Sequence, residues 1–201
     1  MFSGTTTAQT FLDDITQNLG LYEEFPRAVY RSVLNEAIGR LYTELVREEA
    51  EVTASPVDGV ISLASLSLPQ DNAPLREEDI LRIRKGTQQI HRLAPHHFPL
   101  VQSEDGNFYT VQNKKILFTP SYTGHTVHVT YLRRPLLYDR NNEARALPIP
   151  DEYVPMIRAK LRGEMFKLAN EDSLAAKWLG EYNATLPAFA AYCEKARRAL
   201  S

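Results

Sequence analysis

The chain is poor in the residues that most chemistry needs. It has one cysteine, Cys193, in 201 residues. A single cysteine excludes an intrachain disulfide and any all-cysteine metal cage. Cys193 falls on the apolar side of a helical pattern, which makes it a packing residue rather than a reactive thiol. Glycine occurs nine times. No glycine falls in the GxGxxG or GxxxxGKS/T spacing of a phosphate-binding loop. There is no excess of positive charge: 23 Lys and Arg stand against 25 Asp and Glu, for a net charge of -2. A general nucleic-acid binder usually carries a basic excess. No window approaches the run of about 20 apolar residues that a membrane span requires. The opening MFSGTTTAQTF lacks a basic segment followed by an apolar core, so the chain reads as a soluble protein of a reducing cytoplasm.

Catalytic signatures are missing as well. HExxH, CxxC and GxSxG do not occur, nor does an acidic cluster with ligand spacing. His96 and His97 are adjacent and would point to opposite faces of an extended chain, as would His125 and His128. Asp13-Asp14, Glu23-Glu24, Glu48-Glu49 and Glu77-Glu78-Asp79 sit at expected element ends, where caps and solvated faces explain them. The reading is of no catalytic residue, no cofactor site and no metal site.

What is present is a strong helical pattern at both ends. Hydrophobic residues make up 43% and charged residues 24%, enough for a proper core in one domain spanning 1–201. Residues 5 to 22 carry the stripe Phe11, Leu12, Ile15 and Leu19, with Gly20 as a stop. Pro26 opens a second helix at its N1 position, running to about Glu49. Gly39 within it points to a close helix–helix contact. At the other end Asp151 occupies an N-cap position, followed by Val154, Ile157, Leu161, Met165 and Leu168. A break at Asn170 to Asp172, with Ser173 as restart, precedes Leu174, Trp178, Tyr182, Leu186, Phe189, Cys193 and Ala196. Pro187 predicts a bend or interruption of this last helix.

The middle of the chain changes to period two. Asp58-Gly59 is a turn, and Val60 to Leu68 alternates loosely. DILRIRKG, residues 79 to 86, alternates Ile80, Arg82 and Arg84 against Leu81, Ile83 and Lys85. Residues 107 to 120 read as a hairpin turning near Asn113-Lys114. Val127, Val129 and Tyr131 alternate with His128, Thr130 and Leu132 in the clearest strand. Residues 136 to 146 read as a charged loop. The expectation is an α+β fold. It has a four-helix core (5–50 and 151–200; two N-terminal and two C-terminal helices) with a β-rich insertion, 51–147, between helix 2 and helix 3.

Three elements in order carry a resemblance: Ile116-Leu117-Phe118-Thr119-Pro120, then Val127-His128-Val129-Thr130-Tyr131, then Ile149-Pro150-Asp151-Glu152-Tyr153 before two long helices. The chain resembles the head-to-tail adaptor (head-completion or connector) proteins of tailed bacteriophages, in particular those of short-tailed phages. The resemblance implies a virion structural protein, made in the host cytoplasm and located at the head–tail junction. It implies a self-assembled ring, typically of twelve subunits, beneath a portal protein, with a tail or nozzle component on the other side. Genomic DNA would pass through the ring without specific binding, and no enzymatic residues would be carried. It also implies that the C-terminal segment reaches the portal. Phe189, Tyr192, Arg197, Arg198 and Leu200 supply the aromatic and arginine mix of an interface there. The competing reading is a small-molecule or peptide-binding module lined by Phe108, Tyr109, Phe118, Tyr122 and Tyr131. A muralytic hydrolase would need a convergent acidic pair or a zinc site, and neither pattern is present.

Overall fold

The computed structural model describes residues 4–19, 24–69, 72–101, 107–119, 122 and 124–200, the side chain of Leu200 excepted. The chain is α+β, as its two periodicities require. It divides into two compact units, Met1–Arg47 with Leu137–Ser201, and Glu48–Leu136.

The first unit contains α1 (Ala8–Asn18), α2 (Arg27–Leu41), α4 (Val154–Leu168) and α5 (Asp172–Leu200). The Thr7 hydroxyl accepts the Thr10 N–H and caps α1. The helix is shorter than its 5–22 pattern, because residues 4 to 9 are tied down elsewhere. Gly4, Ala8 and Gln9 donate backbone N–H groups to Leu147, Arg145 and Glu143, and Leu147 N–H donates to Thr6. The expected stop at Gly20 lies outside the described residues. Pro26 is the N-cap of α2 rather than its first helical residue. The helix then loosens into a π turn, Tyr42–Val46, and Arg47 ends it in the left-handed region at φ 44. Strand pairing begins two residues later, which is why the helix does not reach Glu49.

Gly39 does not mark a helix contact: a Cβ there would meet nothing within 4 Å. The close approach is at Gly163, where a Cβ would stand 2.7 Å from Leu179 Cγ. Asp151 does not cap α4. It heads a 3-10 turn, Asp151–Tyr153, and its carboxylate faces the N-terminal segment instead. It accepts the N–H groups of Thr5 (3.0 and 2.9 Å) and Thr6 (3.0 Å) and both threonine hydroxyls (2.7 and 3.0 Å). Bonds from the Thr5 side chain, then the Thr5 and Thr6 backbone, hold the carboxyl well below the usual carboxylate range.

Helix α5 is not interrupted at Pro187; it runs from Asp172 to Leu200. A proline inside a helix costs about 3 kcal/mol. Buried Phe189 and Cys193 beyond it supply apolar contacts against that cost. Leu168 and Leu174, expected on the stripes, are exposed, and Ala175 is buried in place of Leu174. The core joins Phe11, Leu12, Ile15, Tyr30, Leu34, Ile38, Ile157, Leu161, Met165 and Phe189. Tyr138, from the stretch 136–146 read as a loop, and Leu147 just beyond it are buried in the core too. That stretch also delivers Glu143, which accepts two bonds from Arg27 (2.9 and 2.7 Å) and one from Arg31.

The second unit is a seven-stranded sheet in the order β1-β7-β3-β4-β5-β6-β2. The strands are β1 (Glu49–Ala54), β2 (Val60–Ser62), β3 (Ile80–Lys85), β4 (Gln88–Arg92), β5 (Phe108–Gln112), β6 (Lys115–Phe118) and β7 (Val127–Leu132). A single helical turn, α3 (Phe98–Val101), lies between β4 and β5. β1 and β2 are at opposite ends of the sheet, yet only residues 55–59 separate them. Six inter-strand steps come to about 29 Å across a flat sheet. The six residue steps from Ala54 to Val60 reach at most about 21 Å. The sheet therefore curls, and its inner face encloses Ile61, Ile83, Ile90, Tyr109, Val111, Ile116, Val129 and Tyr131.

Asn113 (φ 53) and Lys114 (φ 60) form the two-residue hairpin turn expected between β5 and β6. β3 departs from strict alternation. Ile80 pairs with Tyr131 and Arg82 with Thr130, so Leu81 is an extra residue in a bulge. The bulge puts Ile80 and Ile83 on the same buried face and leaves Leu81 exposed.

Candidate docking surface

The C-terminal turns of α5 hold the residues that the sequence singled out. Phe189 and Cys193, one turn apart, face the core with no exposed surface. Phe189 packs edge-to-face on Tyr153 with ring centroids 4.9 Å apart. Tyr153 also meets Tyr192 at 5.4 Å, and Tyr192 remains partly exposed. Tyr153 is thus the support of the aromatic group. The sequence signalled it only through its place after Pro150, and nothing in the spacing tied it to residues 36 and 39 positions on.

Phe189 is therefore not presented on the surface. It stands where the period of α5 turns inward, and its ring completes the helical core. Burial pushes the Cys193 thiol up to about 11, with Arg197 pulling the other way. The outer side of the same turns exposes Glu194, Lys195, Arg197 and Arg198. Arg198 lies 3.7 Å from Glu194, one turn back on the exposed surface. The Leu200 side chain lies outside the described residues. Tyr192, Arg197 and Arg198 thus remain on the surface: an aromatic edge beside two guanidiniums at a helix C-terminus, where cations are favoured. Such a surface suits an acidic partner with an apolar recess.

The aromatic residues of the competing reading do not form an open lining. Tyr109, Phe118, Tyr122 and Tyr131 are buried, and Phe108 is half-buried. The Tyr109 and Phe118 rings meet tilted at 6.3 Å, as do Phe118 and Tyr122 at 5.9 Å, and the Tyr122 hydroxyl donates to Asn107 at 2.5 Å. They are sheet core. His96 and His97 lie in a turn before α3, with rings edge-to-face at 4.0 Å rather than on opposite faces of a strand. His128 Nδ1 is 3.0 Å from Glu51. Among the described residues, no three His, Cys, Asp or Glu side chains are grouped to hold a metal ion. Among them, too, no helix is long and apolar enough to cross a membrane.

The described residues thus offer an exposed aromatic–arginine surface on α5 and no grouping that would hold a metal ion. The sequence matches the SU10 adaptor protein family over residues 6–199, nearly its whole length, and the chain belongs to that family. It is a bacteriophage adaptor, a structural protein of the virion by family rather than a member of an enzyme class. No curated protein matches the chain.

Proposed function

We propose that this adaptor joins capsid to tail as a ring of copies, twelve in number, seated beneath the portal and passing the genome through its centre. The family match along nearly the whole chain carries the reading. Side-to-side contacts between identical subunits close into a ring when the rotation per subunit allows it. The net charge of -2 suits a channel through which DNA slides, because a strongly cationic lining would hold phosphates. The surface of Tyr192, Arg197 and Arg198 docks on the portal, and the sheet unit faces a neighbouring subunit or the next tail component.

The test combines the full-length protein with a portal and examines the mixture by electron microscopy and by binding. The expected result is a ring on the portal. Arg197→Glu with Arg198→Glu should weaken portal binding by about tenfold or more while leaving the melting temperature unchanged. Removal of residues 188–201 is unsuitable, since it takes Phe189 and Cys193 from the core. Absence of any ring on the portal overturns the proposed ring. Undiminished binding by the double variant overturns the docking surface alone.

A further inference from the structure

The N-terminal strap, residues 4–7, lies along residues 146–151. Thr7 and Ala146 form an antiparallel bridge, the Leu147 N–H donates to the Thr6 carbonyl at 2.8 Å, and the Gly4 N–H donates to the Leu147 carbonyl at 3.4 Å. Pro148 and Pro150 have no N–H to offer. Among the described residues, the backbone bonds between the two stretches end at Leu147. The Asp151 carboxylate continues the attachment beyond that point, with five bonds from Thr5 and Thr6. Gly4 shows how close the approach is. A Cβ there would stand 2.6 Å from the Ile149 carbonyl oxygen and 2.7 Å from Asp151 Oδ1. A backbone oxygen cannot swing aside as a side-chain tip could, so glycine is what lets the strap lie flat on this stretch.

The clamp fixes the turn that Asp151 heads. Asp151–Tyr153 is a single 3-10 turn, closed by the Tyr153 N–H donating to the Pro150 carbonyl at 2.9 Å. A turn this tight carries a shift of its first residue to its last. The Tyr153 ring meets two rings of α5, Phe189 at 4.9 Å and Tyr192 at 5.4 Å. Phe189 is locked in the helical core, whereas Tyr192 is half-buried at the surface. Tyr192 is thus the ring that a shift of Tyr153 would move.

We propose that the N-terminal strap positions Tyr192 on the C-terminal surface of α5, by way of the Asp151 carboxylate and the Tyr153 ring. Asp151 and Tyr153 are then positioning residues for that surface. Its use in docking rests on the portal reading; the positioning does not.

The test uses the full chain and two variants that release the strap at different atoms. Asp151→Ala removes the acceptor. Gly4→Ala drives the strap off by overlap and leaves the carboxylate in place. NMR follows the Tyr192 ring resonances and amide hydrogen exchange, with Tyr153→Leu as the reference for loss of the neighbouring ring. Both variants should move the Tyr192 resonances in the direction seen in Tyr153→Leu. Exchange in residues 189–198 should rise by about fivefold or more relative to residues 30–41. Thr5→Ser with Thr6→Ser keeps every donor and should leave Tyr192 as in the natural protein, whereas Thr5→Val with Thr6→Val should move it part-way. Unmoved Tyr192 resonances in Asp151→Ala overturn the proposal. So does an exchange increase that is equal in all helices, the mark of a clamp that only stabilises. Portal binding is a separate measurement: Asp151→Ala should weaken it by about threefold or more. Unchanged binding beside moved Tyr192 resonances overturns the docking role of Tyr192 and upholds the positioning.

Discussion

Three glycines within helices offer a sharp check on the packing, because one substitution has opposite signs at different sites. Gly39 lies in α2, Gly163 in α4 and Gly180 in α5. Replacing an interior helical glycine by alanine gains about 1 kcal/mol from backbone entropy and helix propensity. At Gly39 and Gly180 the new methyl would meet nothing within 4 Å, so the gain stands undiminished. For a chain of this size 1 kcal/mol moves the melting temperature by about 2–4 °C. Gly39→Ala and Gly180→Ala should each raise it by that amount. At Gly163 the methyl would sit 2.7 Å from Leu179 Cγ, 2.8 Å from its Cδ2 and 3.2 Å from its backbone nitrogen. The Cγ and the nitrogen cannot swing aside as a side-chain tip could. Overpacking of this kind costs about 1–3 kcal/mol, which outweighs the propensity gain. Gly163→Ala should therefore lower the melting temperature by about 2–4 °C. Calorimetry and urea unfolding of the three variants measure the effect. Leu179→Ala supplies a second reading: the double variant with Gly163→Ala should be more stable than the sum of the single effects by about 1 kcal/mol. A Gly163→Ala protein as stable as Gly39→Ala would refute the claimed contact between α4 and α5.

Other expected outcomes follow from single sites. Phe189→Ala, which empties a fully buried position beside Tyr153, should cost about 3–5 kcal/mol and be visible in urea unfolding. The Asp151 carboxyl is lowered in the folded state, so its contribution is present above its unfolded value near 3.8 and is lost as pH falls through the folded value. Asp151→Asn should thus melt below the natural protein at pH 7, and the gap should shrink as pH drops below about 4; a gap that is constant with pH would contradict the Thr5–Thr6 clamp. Glu143→Ala leaves Arg27 and Arg31 without their shared carboxylate and should destabilise by about 3 kcal/mol in urea unfolding. With its thiol buried and pushed up to about 11, Cys193 should resist a thiol reagent at pH 8 until the chain is unfolded.

Local residue patterns were enough to show which stretches are helical and which extended, apart from the end of α2, which gives way to β1 at Glu49. The spacings at 11–15, 30–41 and 154–165 and the alternation at 127–131 are local, and a helix or strand expresses them directly. The turn at Asn113-Lys114 was legible for the same reason: two adjacent residues decide it. Tertiary structure decided everything that joins distant residues. Asp151 looks like a helix cap until Thr5 and Thr6 offer its carboxylate better donors across 145 and 146 positions. Gly39 and Gly163 read alike in sequence, and only the place of Leu179 distinguishes them. The bulge at Leu81 is invisible in a pattern that alternates on paper, because it depends on the register against β7. Phe189 carries the composition of an interface residue, yet the phase of α5 relative to Tyr153 turns it inward and leaves Tyr192, Arg197 and Arg198 outside. A periodic pattern records which residues share a face; what that face meets is set by chain segments far along the sequence.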